Sequence, residues 1–375
     1  VRTPSRVLAL VATLLTVLLG SLLSPAPLTT TATAATAPAP GPHFSRPGSL
    51  TIERLVLDAI AGTPSGSYIR GVTWSFDRQR IADALIAAHR RGAVVRLLIS
   101  RKSRAEEEVS DMRAAGIGSD CSPGRSCLKV VDYSARGSDR FDGTLTTLHQ
   151  KSWTFSMTSG VRRVSVITSA NASVGAAENQ YNDAYVFVDN DAVYDTLVDV
   201  FVDQTADRDL GDPWRVARIS RTVSLSFGPW NSPSMADPVL RRIESLPTNG
   251  LVVRVGMAAW RDPRGVALAR ALAAKKRAGA KVFVLAGKPI GAAVLDTLRG
   301  AGIPVRNAHY GDSNYLHSKF MTAKWVADGR IRTRVWAGSE NWGAEPRGSD
   351  ELTFQVAAGQ THGAYVRYFD SLFNR

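Results

Sequence analysis

Two stretches of this 375-residue chain pair an imidazole with an ammonium at the same spacing. They are Thr147-Leu148-His149-Gln150-Lys151-Ser152-Trp153 and Tyr315-Leu316-His317-Ser318-Lys319-Phe320-Met321. Both are apolar and extended in pattern, and side chains two apart on a strand share a face. Each stretch therefore aims one His and one Lys at the same patch. An Asn trails each at similar distance: Asn171 in Thr168-Ser169-Ala170-Asn171, and Asn341 in Gly338-Ser339-Glu340-Asn341. One such pair would fit a half-buried strand with a surface lysine. Two copies with the same trailing Ser-x-Asn point to a shared chemical site.

That set suits a phosphodiester. Lys151, Lys319, Asn171 and Asn341 can neutralise and hold phosphate oxygens without a metal or other cofactor. Ser169 and Ser339 stand beside them as candidate substrate ligands, and His309 can line the pocket from the loop before the second motif. One histidine attacks phosphorus, and a covalent intermediate divides the reaction into two easier steps. The other protonates the leaving oxygen, then takes a proton from the incoming water or alcohol. Each imidazole needs a group to fix its tautomer, as a carboxylate would. Asp183 and Glu351 each follow their Asn and open a strand, which makes them the expected partners.

The elements that must position these residues run in the same order twice. A helical pattern (Ile52, Leu55, Leu57, Ile60) leads to a strand ending near Trp74, a helix over 81–89 and a buried strand over 94–99. Strands follow at 128–131, at the first His-x-Lys, at 164–167 and at 185–188, then a helix over 193–206. The second copy repeats the order from Phe227 to the closing helix over 363–373, with Trp260 in the place of Trp74. An insertion in the first copy carries Cys121 and Cys127. A duplicated α/β unit with buried strands implies mixed sheets covered by helices. A pseudo-twofold between the copies would bring both His-x-Lys strands to one seam.

Composition sets the setting. The formal charge of +13 attracts polyanions, nucleic acid and anionic membrane surfaces alike. Arg2 and Arg6 precede an apolar run over 7–23, and Ala32-Thr33-Ala34 follows, so 1–34 read as a signal peptide and the protein as secreted. Residues 35–48 are rich in Pro and Ala and read as a flexible lead-in. In an exported chain Cys121 and Cys127 are expected as a disulfide closing a small loop. Two cysteines without further ligands nearby fall short of a metal site.

The paired motifs resemble those of the phospholipase D superfamily, whose pattern is His-x-Lys, four residues, Asp, then Gly-Ser-x-Asn. The resemblance covers nearly the whole chain after residue 34. It implies two fused repeats, 49–215 and 216–375, each a mixed, mostly parallel sheet flanked by helices and related by a pseudo-twofold. It also implies a phosphohistidine mechanism, with His149 as nucleophile and His317 as acid and base; the protein itself is expected to be a monomer. The motif Asp is replaced by Ser156 and Lys324, and Thr168 stands where the family has Gly. The implied activity is phospholipid hydrolysis to phosphatidic acid and head group. The alternatives are a metal-independent nuclease and a basic binding protein without turnover.

Overall fold

The computed structural model describes residues 36–230, 232, 235–311 and 313–375. The stretch read as a signal peptide, 1–34, lies outside the described residues. The first half contains strands β1 (Gly41–Ser45), β2 (Tyr68–Thr73), β3 (Val94–Ser100), β4 (Cys127–Val131), β5 (Arg140–Phe141), β6 (Thr144–Leu145), β7 (Ser152–Thr158), β8 (Val161–Thr168) and β9 (Gln180–Phe187). Its helices are α1 (Thr51–Ala61), α2 (Gln79–Arg90), α3 (Glu107–Ala114), α4 (Val174–Glu178) and α5 (Asp191–Ala206). The second half contains β10 (Arg215–Arg218), β11 (Val223–Phe227), β12 (Val252–Met257), β13 (Lys281–Ala286), β14 (Val305–Asn307), β15 (His309–Tyr310), β16 (Asn314–Leu316), β17 (Lys319–Ala327), β18 (Arg330–Gly338) and β19 (Leu352–Val356). Its helices are α6 (Pro238–Glu244), α7 (Asp262–Arg277), α8 (Ala292–Gly300) and α9 (Gly359–Phe373).

The two halves build their sheets in the same order, β9-β8-β7-β2-β3-β4 and β19-β18-β17-β12-β13-β14. Among the described strand ladders, isolated bridges aside, parallel pairing joins β2-β3-β4, β12-β13-β14 and, across the halves, β16 with β9. The other ladders are antiparallel, so the expectation of mostly parallel sheets is corrected: the sheets are mixed, with antiparallel pairing dominant. The cause lies in two tight hairpins. Ser159-Gly160 joins β7 to β8 with φ of 46° and 77°, and Asp328-Gly329 joins β17 to β18 with φ of 51° and 66°. Two consecutive left-handed residues make the turn whose twist matches paired antiparallel strands.

Helices cover the sheets through apolar stripes. α1 buries Ile52, Leu55, Val56, Ala59 and Ile60, and α7 buries Leu268, Ala269, Leu272 and Ala273. Each half has its own core on that side. A third core joins the halves, with Ile167 and Phe187 of one sheet, Phe320 and Phe354 of the other, and Tyr365 and Phe369 of α9. The described residues from 36 to 375 accordingly fall in one compact unit. No helix among the described residues is long and apolar enough to cross a membrane.

Part of the stretch read as a flexible lead-in is ordered. β1 pairs antiparallel with β9. Its Phe44 stacks on Tyr368 at 4.3 Å and meets Tyr365 edge-on at 5.0 Å. The Pro/Ala bias of the segment masked this one aromatic anchor. Cys121 and Cys127 form the expected disulfide at the start of β4.

Candidate active site

Each His-x-Lys segment lies where the chain crosses between halves. Leu148 bridges Asp350, and the His149 N–H donates to the Asp350 carbonyl at 3.0 Å. In the mirror crossing β16 pairs with β9, Leu316 opposite Tyr181, and the His317 N–H donates to the Tyr181 carbonyl at 2.9 Å. The chain then turns into β7 or β17 of its own sheet, so each histidine stands at a strand entrance rather than inside a strand. Both histidines line one cavity of about 510 Å³, with Trp74, Tyr315, Asn341 and Glu351. Trp74 meets the His149 ring edge-on at 5.8 Å, and Tyr315 meets His317 the same way at 6.3 Å.

Opposite halves supply the groups that hold the imidazoles. His149 Nδ1 lies 2.7 Å from Glu351 Oε1. The other Glu351 oxygen accepts from the Ser339 hydroxyl. His317 Nδ1 lies 3.0 Å from Asn182 Oδ1, which also accepts from Ser169 Oγ at 3.0 Å. The Asn182 NH₂ donates to the Ala176 carbonyl at 3.3 Å, which turns its oxygen toward the ring. Asn182 is thus the structural counterpart of Glu351. Asp183, expected in that role, touches neither histidine. It accepts from the Tyr365 hydroxyl at 2.7 Å on the other side of β9, and burial pushes its carboxyl up. Adjacent strand residues face opposite ways, so a shift of one position exchanges the two.

The remaining expected residues divide. Ser169 and Ser339 are fully buried and bond to Asn182 and Glu351, so they position the orienting groups and do not line the cavity. Asn341 faces the cavity, whereas Asn171 Oδ1 accepts the Ser75 N–H at 3.3 Å. His309 stacks on the back of Tyr315 at 5.7 Å and lines a neighbouring cavity instead. Trp74 lines the site, but Trp260 is core. The registers pair Val72 with Ser152 and Gly256 with Phe320, which makes Phe76, not Trp74, the counterpart of Trp260. Ser156 Oγ accepts the Tyr68 N–H at 2.8 Å, and Lys324 is exposed; neither lines the cavity.

Lys151 and Lys319 are buried beneath the histidines. Each ammonium donates to the carbonyl of its own histidine, at 2.6 Å for Lys319. Burial, then the neighbouring Lys319 charge, holds Lys151 well below the ordinary lysine range. Burial lowers Lys319 to about 7, against the pull of Glu351 and Asp183. Burial and the two lysines push both imidazoles well below the usual histidine range. Burial raises Glu351 to about 7, opposed by Lys151. A neutral His149 donates from Nδ1 to an ionised Glu351 and keeps its Nε2 lone pair free, the form a nucleophile needs.

Sequence reasoning missed Asn182, although it stands beside the acid that was chosen. A count alone does not find it, because the copies differ by one: Ser339 and Glu351 are 12 apart, Ser169 and Asn182 are 13 apart. It also missed Arg101 and Lys288, which line the cavity mouth. The registers that align Thr73 with Ile99 and Met257 with Ala286 make these two cations pseudo-symmetric equivalents.

Residues 58–205 match the family described as cardiolipin synthase, PLD-like domain. The fold is similar to that of the phosphatidylserine synthase of Haemophilus influenzae, with a TM-score of 0.60 at 13% identity over 89% of this chain and 86% of that one. It is also similar to yeast tyrosyl-DNA phosphodiesterase, with a TM-score of 0.50 at 10% identity over 84% and 90%. The polyphosphate kinase of Porphyromonas gingivalis gives 0.56 at 17% identity over 89% of this chain and 50% of that one, so the chain spans about half its length. No curated protein sequence matches the chain. The match thus places a PLD-like domain at residues 58–205, and the likeness of fold extends over most of the chain.

Proposed function

We propose that the protein is a metal-independent phosphodiesterase that works through a phosphohistidine. The observation that carries this is the convergence of His149 and His317, from opposite halves, on one cavity, each with Nδ1 engaged. His149 Nε2 attacks phosphorus in line while the P–O bond to the leaving group breaks. His317, which takes up a proton as the anionic phosphodiester binds beside it, gives that oxygen its Nε2 proton. His317 then takes a proton from water, the water oxygen bonds phosphorus, and the P–N bond to His149 breaks. Lys151 and Lys319 lend positive charge from beneath as phosphate charge builds. The carboxylate behind His149 stabilises the cationic ring of the intermediate, whereas the amide behind His317 cannot. That asymmetry favours His149 as nucleophile.

The substrate reading is a phospholipid, cleaved to phosphatidic acid and head group by an exported monomer. Leu145, Pro289 and Pro346 give the cavity an apolar side suited to a glycerolipid, and the basic surface suits anionic membranes. One chain supplies both histidines, so a monomer is chemically complete. A second reading, a nuclease, is favoured by Arg101 and Lys288 on either side of the site with Trp74 and Tyr315, cations and rings that suit a nucleic-acid strand. The test is purified protein in EDTA with phosphatidylcholine vesicles, bis(4-nitrophenyl) phosphate and plasmid DNA. Choline release without nicking supports the lipid reading, and nicking alone supports the nuclease. Binding of all three without turnover defeats the enzyme reading.

A further inference from the structure

Behind His149 lies a buried charge that the mirror crossing lacks. Asp350 and Tyr181 are equivalent: each offers its carbonyl to a histidine N–H. Tyr181 is neutral, and its hydroxyl accepts from Arg375. Asp350 is fully buried, and four donors surround its carboxylate. Oδ1 accepts from Arg136 Nε at 2.9 Å and Gln204 Nε2 at 3.2 Å. Oδ2 accepts from Ser134 Oγ at 2.7 Å and the Ala135 N–H at 2.6 Å. Arg136 is itself 1% exposed and donates onward to the carbonyls of Gly228 and Pro213. The Gly228 N–H donates to the Glu351 carbonyl at 2.9 Å.

This pair is not required for the crossing itself. The Tyr181 crossing forms the same backbone bridge without an ion pair. Replacing a buried ion pair with well-packed apolar groups is often neutral or stabilising. The pair instead sits one residue from Glu351. The Asp350 main chain holds the Thr147 carbonyl and the His149 N–H, both at 3.0 Å, while its side chain is clamped by the segment before β5, by α5 and, through Arg136, by the link between the halves. Glu351, the next residue, is thereby fixed relative to the ring it contacts.

We infer that Arg136 and Asp350 are a positioning pair that holds the Glu351 carboxylate on His149 Nδ1. Its kinetic consequence rests on the phosphodiesterase reading; its structural consequence does not. The mirror contact needs no such clamp, because the Asn182 amide is held by the Ala176 carbonyl in addition to the serine bond that both sides share.

The test uses the full chain and two variants. The double variant R136M/D350L copies the uncharged crossing, and D350N keeps the size of the side chain while removing the charge. The double variant is expected to fold as the wild type does and D350N to fold with reduced stability, each with kcat on bis(4-nitrophenyl) phosphate reduced by about 10²-fold and KM within about twofold, the signature of misplaced reacting groups. In protein carrying isotope-labelled histidine, the low-field Nδ1–H resonance of His149 should shift or vanish while that of His317 stays. An unchanged His149 resonance in a folded variant overturns the inference, and so does a rise in KM alone. D350N decides the matter if the double variant does not fold. The resonance is readable without turnover, so an inactive wild type counts against the phosphodiesterase reading and leaves the positioning question open to the same measurement.

Discussion

His149 and Glu351 meet at 2.7 Å across 202 positions of sequence. The mirror contact, His317 with Asn182, spans 135 positions at 3.0 Å. The two imidazoles are therefore related by position and distinguished by what stands behind them: one can share a proton with an acid, the other only donate to an amide.

That distinction predicts separate phenotypes for the two histidines. H149A should show no turnover and no phosphoenzyme. H317A should retain a burst of 4-nitrophenolate, because that leaving group departs without a proton, and then stall, with steady turnover down by about 10²–10⁴-fold. Rapid-mixing absorbance resolves the two. A burst from H149A would reverse the assignment.

The pH profile should carry the mark of Glu351. With its carboxyl raised to about 7, the His149–Glu351 pair gains a proton as pH falls through neutrality, and the free Nε2 is lost. kcat/KM should therefore decline below about pH 7. E351Q removes the titrating group; the low-pH decline should vanish while kcat drops by about 10²–10⁴-fold. Retention of the limb in E351Q would assign it to another group.

Anion binding should take up protons. Lys319, lowered to about 7, is mostly uncharged at pH 8. A phosphate brought beside it favours the ammonium. Calorimetry of inorganic phosphate binding at pH 8, in buffers of different ionisation heat, should show net proton uptake that fades toward pH 6, where the ammonium is already formed. In K319M the Lys319 share should be gone.

Two sites away from the cavity should affect stability or nothing. Removing the Cys121–Cys127 bridge, as C121S/C127S, should lower stability by about 2 kcal/mol, read by denaturant melts. Diester turnover should stay at the wild-type level, because neither cysteine lines the cavity. S156D, which restores the family's acid in the first motif, should also leave turnover unchanged. The new carboxylate can accept the Tyr68 N–H as the serine does, and a large gain in rate would show that the position acts on the site.

The duplication, the strand and helix order and the paired motifs could be read from the chain because each is a local pattern. Antiparallel dominance was also written there, in Ser159-Gly160 and Asp328-Gly329, but buried strands suggested parallel neighbours more strongly. The choice of Asp183 over Asn182 failed for a different reason. Which of two adjacent strand residues faces the site depends on register, and α4 changes the count between Ser169 and β9 relative to the second copy. The Arg136–Asp350 pair was invisible, since its members lie 214 positions apart and neither belongs to a motif.

The reciprocal crossings have a consequence for how this protein can change. Each reactive ring hangs from a strand encoded in the opposite part of the gene. Lengthening the loop before Leu148 would drag the nucleophile away from an acid specified far downstream, and no local repair could restore the fit. Severed between the halves, the polypeptide would yield two fragments, each holding a histidine with nothing behind it. Any inherited shift on one side of a crossing must be answered in the opposite half of the chain.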